Sequence, residues 1–219
     1  MKILVNALSA RMGGIVTYTS NLMRSFSARG IDATFAVPPE FPAPDSARVL
    51  RFRANRMRPS VRLLWEQTVW RRVIAREKPD LLFSSANFGV MTSSVPQLLL
   101  VREGGLFDPY YITNISPGQG IRAAFFRMAR RKLIQASMRA ADSVMVPTEA
   151  MKASLLSWSP GLSDKISCNL YGTRLDLFSA SGIKRQWRAD GMLRLLYVSE
   201  YDPHKRPGMM ADVVARLNE

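Results

Sequence analysis

Short, largely apolar runs alternate along this chain with longer stretches whose apolar residues recur at three- and four-residue intervals. Runs at 2–8, 34–37, 81–83, 97–101, 143–146 and 166–170, with a weaker one around Val49, Leu50 and Phe52, have the length of strands rather than helices. Between them, residues 15–30 place Ile15, Tyr18, Leu22 and Phe26 on one helical face that Gly30 closes. Residues 60–77 do the same with Val61, Leu64, Trp65, Val69 and Val73; residues 121–140 read as a long basic helix whose apolar residues include Ile121, Phe125, Met128 and Leu133, and a further helix opens at Pro147–Thr148–Glu149 and runs to Trp158. A strand that is apolar along its whole length is buried on both faces, and a parallel sheet clothed by helices provides that burial. The expected fold is α/β, a doubly wound parallel sheet spanning residues 1–171.

The rhythm then changes. Residues 172–192 are polar and read as a linker, after which 193–198 is expected as a strand, 199–207 as a loop and 208–218 as a helix. One strand–loop–helix unit does not cover both faces of its strand. Residues 193–219 therefore read as the opening of an incomplete second α/β domain and the chain as a fragment, the alternative being that the first domain captures this last unit.

Composition narrows the function. One cysteine, Cys168, excludes an internal disulfide, and with a single histidine, His204, there is no His/Cys metal cluster to propose. No apolar stretch reaches the ~20 residues of a membrane helix, and Asn6 interrupts the first run well short of a signal sequence. A cytoplasmic protein with a free thiol is expected. The net charge of +14, from 31 Lys+Arg against 17 Asp+Glu, calls for an anionic partner.

Four features are placed to meet one. Gly13–Gly14 lies between the first strand and the first helix, where backbone amides and the helix N-terminus approach phosphate, or where a plain turn needs glycine. Neither G-x-G-x-x-G after the first strand nor G-x-x-x-x-G-K-[ST] occurs. Two stretches are basic: ten Lys/Arg against two acidic residues between Arg48 and Lys78, including Arg53, Arg56 and Arg58, and six against none between Arg122 and Arg139, including Arg130 and Arg131. They suit an anionic membrane surface or lipid phosphate better than nucleic acid, since no nucleic-acid-binding module matches the α/β pattern, and part of the charge is a solvated face. Glu103 follows an apolar strand and precedes Gly104–Gly105, so it faces a ligand cleft or forms a surface pair with Arg102; Asp108 is a second carboxylate of that loop. Lys205, beside His204, stands in the strand–loop–helix corner of the last unit, where an anion is received.

Several segments together resemble GT-B glycosyltransferases, most closely the large retaining family 4. They are the first strand with Gly13–Gly14, the stretch Asp142–Ser143–Val144–Met145–Val146–Pro147–Thr148–Glu149, the interdomain-like Tyr171–Gly172–Thr173–Arg174–Leu175–Asp176–Leu177–Phe178, and Leu195–Leu196–Tyr197–Val198 with Lys205–Arg206–Pro207. The resemblance implies a Rossmann-like N-terminal domain that holds the acceptor, followed by the start of a donor domain. It implies retaining transfer from a nucleotide-sugar donor to a saccharide or polyprenyl-linked acceptor, with no metal or other cofactor, in cell-surface polysaccharide synthesis. Gly13, Gly14 and Lys205 would bind the donor diphosphate, Glu103 would stand near the reacting sugar, and Arg53, Arg56, Arg58, Arg130 and Arg131 would hold an anionic acceptor or the inner membrane face. The chain departs from the family where relatives carry Gly–Arg, having Ser199–Glu200 instead, and the donor-domain glutamates of relatives have no counterpart before Glu219. Inefficient donor turnover is expected of this chain alone.

Overall fold

The computed structural model describes residues 1–172, 191, 194–198 and 208–217, without the side chains of residues 55, 56, 59, 60 and 115. The chain divides into two units, Met1–Thr173 and Arg174–Glu219.

The first unit is built on seven parallel strands, β1 (Ile3–Asn6), β2 (Ala33–Val37), β3 (Arg48–Arg51), β4 (Leu81–Ser84), β5 (Gln97–Leu100), β6 (Ser143–Val146) and β7 (Ile166–Cys168). Their order is β3-β2-β1-β4-β5-β6-β7, the doubly wound order with one strand added. Every pairing is parallel, with Ile3 opposite both Ala33 and Leu81 across the central strand. The four helices are α1 (Gly14–Ala28), α2 (Pro59–Glu77), α3 (Gly120–Ala140) and α4 (Glu149–Trp158). Thr148 caps α4 by accepting the Met151 N–H at 3.1 Å. Within this unit the expected strands and long helices are all present, with ends that differ by a few residues.

The helices clothe the sheet unevenly. Ile3 and Val5 pack with Met23 of α1, Phe35, Val37 and Phe83, while Leu4 on the opposite face packs with Ala36, Leu82 and Trp70, Val73 and Ile74 of α2. Leu99, Val144 and Val146 meet Ile134 and Met138 of α3 and Met151 and Leu155 of α4. Strand alternation puts Leu4, Leu82 and Leu99 on one face, so α2, α3 and α4 share it and α1 alone covers the other.

The expected face of α2 is borne out in part: Val73 is buried, with Trp65 and Val69 packed partly buried against the same core, whereas Val61 and Leu64 are 52% and 68% exposed and Glu66, Trp70 and Ile74 are buried as well. In α3, Ile121, Phe125 and Met128 are exposed, and burial begins only at Ile134. A periodic apolar stripe marks a face without saying what covers it. In the second unit the helix is present as α5 (Met209–Leu217). The expected strand is not formed by the residues described there: 194–198 carry no regular secondary structure and are exposed.

Candidate functional site at the carboxyl edge of the sheet

The direction of winding reverses between β1 and β4, and in open parallel sheets the crevice beyond that point receives ligands. Here it is framed by the loops after β1, β4 and β5. Gly13 adopts φ +67°, ψ −154°, a conformation essentially restricted to glycine. Both glycines are exposed, and a Cβ on Gly13 would meet no atom within 4 Å. No side chain caps α1, so the positive end of that helix is open to an anion.

The loop that delivers this turn is fixed from below. Glu66 of α2 is buried and accepts from Arg62 Nε at 2.6 Å and from Asn6 Nδ2 at 3.3 Å. Arg62 also donates to Ser9 Oγ at 2.9 Å, and Asn6 Oδ1 accepts the Leu8 N–H at 3.3 Å. This polar chain pins the residues between β1 and Gly13 to α2. Sequence reasoning missed it, because Asn6 and Glu66 stand 60 residues apart.

Arg102 adds a cation beside the turn. Its Nη2 lies 3.9 Å from the Cβ position of Gly14, and its guanidinium lies 5.5 Å from the ring centres of both Tyr18 and Tyr171. Those two rings are 5.2 Å apart. Burial, then the neighbouring Tyr171, pushes the Tyr18 hydroxyl up to about 12, with Arg102 pulling the other way. Burial also raises Tyr171, against the charge and hydrogen bond of Arg102. A phenol more protonated in the folded state stabilises the fold below its unfolded pKa and loses that contribution as pH rises through the folded one. Stability is therefore expected to decline between pH 10 and about 12, and less so in Tyr18→Phe, as thermal denaturation across that range would report.

Glu103 is paired, but not with Arg102. Arg130 of α3 donates from Nε to both of its oxygens at 2.7 Å, with Nη2 also 2.7 Å from Oε2. Asn87 Nδ2 adds a bond at 3.2 Å. Asn87 itself has φ +60°, and its Oδ1 accepts the N–H groups of Arg102 and Glu103 at 2.7 and 3.1 Å. One side chain thus sets both charged residues of the β5 loop. Asn87 was not foreseen, although an asparagine in the Ala86–Gly89 turn is the residue type that tolerates a left-handed conformation.

The expected anion-holding arginines divide. Arg130 lies over the Phe88 ring at 4.8 Å and is neutralised by Glu103, so it is a fixed part of the wall rather than a free anion receptor. Arg131 stacks on Trp158 at 4.1 Å, and burial together with Arg127 lowers its pKa. Arg53 and Arg58 are exposed after β3, at the same carboxyl edge. The side chain of Arg56, and Lys205 and His204 entirely, lie outside the described residues. Asp108 accepts the Tyr110 N–H at 2.9 Å and serves its own turn.

The crossover, the open glycine turn, the cation beside it and the arginine-held carboxylate stand together at the carboxyl edge of a Rossmann-like α/β domain. Residues 12–167 match the family described as Glycosyltransferase Family 4, and the chain belongs to that family. Among solved structures, sucrose-phosphate synthase from Thermosynechococcus elongatus aligns with a TM-score of 0.61 and 16% identity, over 81% of this chain and 50% of that one. UGT2 from Phytolacca americana, without ligand, aligns at 0.53 and 10% identity, over 83% and 53%. These likenesses are of fold, the Rossmann-like half of GT-B enzymes, and this chain spans about half the length of each. No curated protein matches it.

Proposed function

We propose that this chain forms the acceptor-side domain, with the opening of the donor domain, of a glycosyltransferase. It moves a sugar from a nucleotide-sugar donor to a saccharide or polyprenyl-linked acceptor with retained configuration and without an obligatory metal, in cytoplasmic synthesis of cell-surface polysaccharide. The observation that carries this reading is the uncapped turn Gly13–Gly14 at the carboxyl end of β1, with Arg102 beside it. As the sugar C1–oxygen bond breaks, charge grows on the departing diphosphate. The amides of α1 and the Arg102 guanidinium oppose that charge without reorganising. The acceptor hydroxyl forms the new bond to C1 and passes its proton to the departing diphosphate oxygen, on which the negative charge has grown. Glu103, oriented by Arg130, accepts a hydrogen bond from a sugar hydroxyl.

The test is a panel of radiolabelled nucleotide sugars with lipid-linked and free saccharide acceptors, scored by nucleoside diphosphate release and the anomer formed. Binding without release in every case would favour a non-catalytic nucleotide module, and steeply salt-dependent RNA or DNA binding a nucleic-acid protein. Gly13→Ala is expected to weaken donor binding by about tenfold, since it forces an L-residue into a glycine conformation. Titration calorimetry with the nucleoside diphosphate measures it; unchanged affinity would remove the turn from the site.

A further inference from the structure

We infer that the first half of α3 docks on an anionic lipid surface. Ile121, Ala124, Phe125 and Met128 stand at i, i+3, i+4 and i+7, one stripe of the helix, and Ile121, Phe125 and Met128 are 91%, 61% and 51% exposed. The helix packs on the sheet only through its last turns, from Ile134 onward. Single exposed apolar side chains are ordinary, whereas a stripe of them at helical spacing marks an interaction surface.

The charges choose the occupant. No acidic residue occurs between Arg122 and Arg139. Arg127 is turned inward, donating to Ser116 O at 3.0 Å and to Gln119, and Arg130 holds Glu103. Arg122 and Lys132 remain exposed beside the stripe. Apolar side chains flanked by long cationic ones are the pattern of a helix lying at the boundary of headgroups and acyl chains. No described helix is long and apolar enough to cross a membrane, so α3 would lie on the surface. It leaves the same carboxyl edge of the sheet as the Gly13 turn, which brings the site to where the sugar of a lipid-linked acceptor emerges. The inference deepens the acceptor reading above and rests on it for that last step only.

The experiment is flotation of the chain with vesicles of phosphatidylcholine alone and of phosphatidylcholine mixed with phosphatidylglycerol. Binding to the anionic vesicles only is expected, reduced at least about tenfold in Ile121→Asn/Phe125→Ser/Met128→Ser. Because the three residues are exposed, the far-ultraviolet spectrum of the variant should match that of the parent. Equal flotation of variant and parent would overturn the proposal, as would failure of the parent to float. A self-association that the variant abolishes, with vesicle binding unchanged, would assign the stripe to a second copy instead. Vesicle binding needs no donor, so it stands or falls apart from sugar transfer, which the panel with free saccharide acceptors measures.

Discussion

Trp70→Ala is expected to lower the free energy of unfolding by about 3–5 kcal/mol, the range for emptying a fully buried aromatic site. Trp70 is 1% exposed, packs with Leu4, Ala36 and Leu82, and has the Phe52 ring 6.4 Å away. Strands hold its sheet-side neighbours in place, so the space left by the indole does not readily close. Its Nε1 is buried without a hydrogen-bond partner, so Trp70→Phe removes an unsatisfied N–H as well as some volume. That variant should cost less than about 2 kcal/mol. Urea denaturation of the two variants beside the parent decides the matter, and losses of equal size would show that packing around Trp70 is not what the helix contributes. The effect reaches the site, because Glu66, one turn earlier on α2, holds the loop before Gly13.

Asn87→Leu is the second large loss, about 3 kcal/mol. Leucine at positive φ costs about 1 kcal/mol, and the N–H groups of Arg102 and Glu103 each lose an acceptor worth about 1 kcal/mol. Asn87→Gly relieves the backbone but not the lost acceptors, so stability should fall in the order parent, glycine variant, leucine variant. A glycine variant as stable as the parent would mean that the amide oxygen holds nothing. Sugar transfer should fall in both variants, since Arg102 and Glu103 lose the side chain that sets their loop.

The central strands were legible because β1, β2, β4 and β5 are largely buried on both faces and so are written as largely apolar runs, with glycine and proline at the breaks. The candidate site at the carboxyl edge was legible only in part. Gly13–Gly14 and Glu103 announce themselves by residue type at the end of a strand. The partner of Glu103 does not: Arg102 is its neighbour in sequence, yet Arg130, 27 residues on, is the one that reaches it. Asn6, Arg62 and Glu66 look unremarkable in any local window, because their roles come from contacts between β1 and α2. The exposure of Val61 and Leu64 on α2 and of Ile121, Phe125 and Met128 on α3 was illegible for a related reason: helical spacing records an apolar face and leaves its neighbour unwritten.

The two rims of the sheet carry a last consequence. At one, β3 begins and ends in arginine, with Arg48 paired to Glu77 at 3.5 Å and Arg51 donating to the carbonyls of Pro39 and Phe41 at 2.5 and 3.0 Å. At the other, β7 is three residues long. Bulky cations on one border and brevity on the other deny a foreign strand the long flat template it needs to add itself. A wholly parallel sheet of this kind is thereby kept from growing sideways into aggregates.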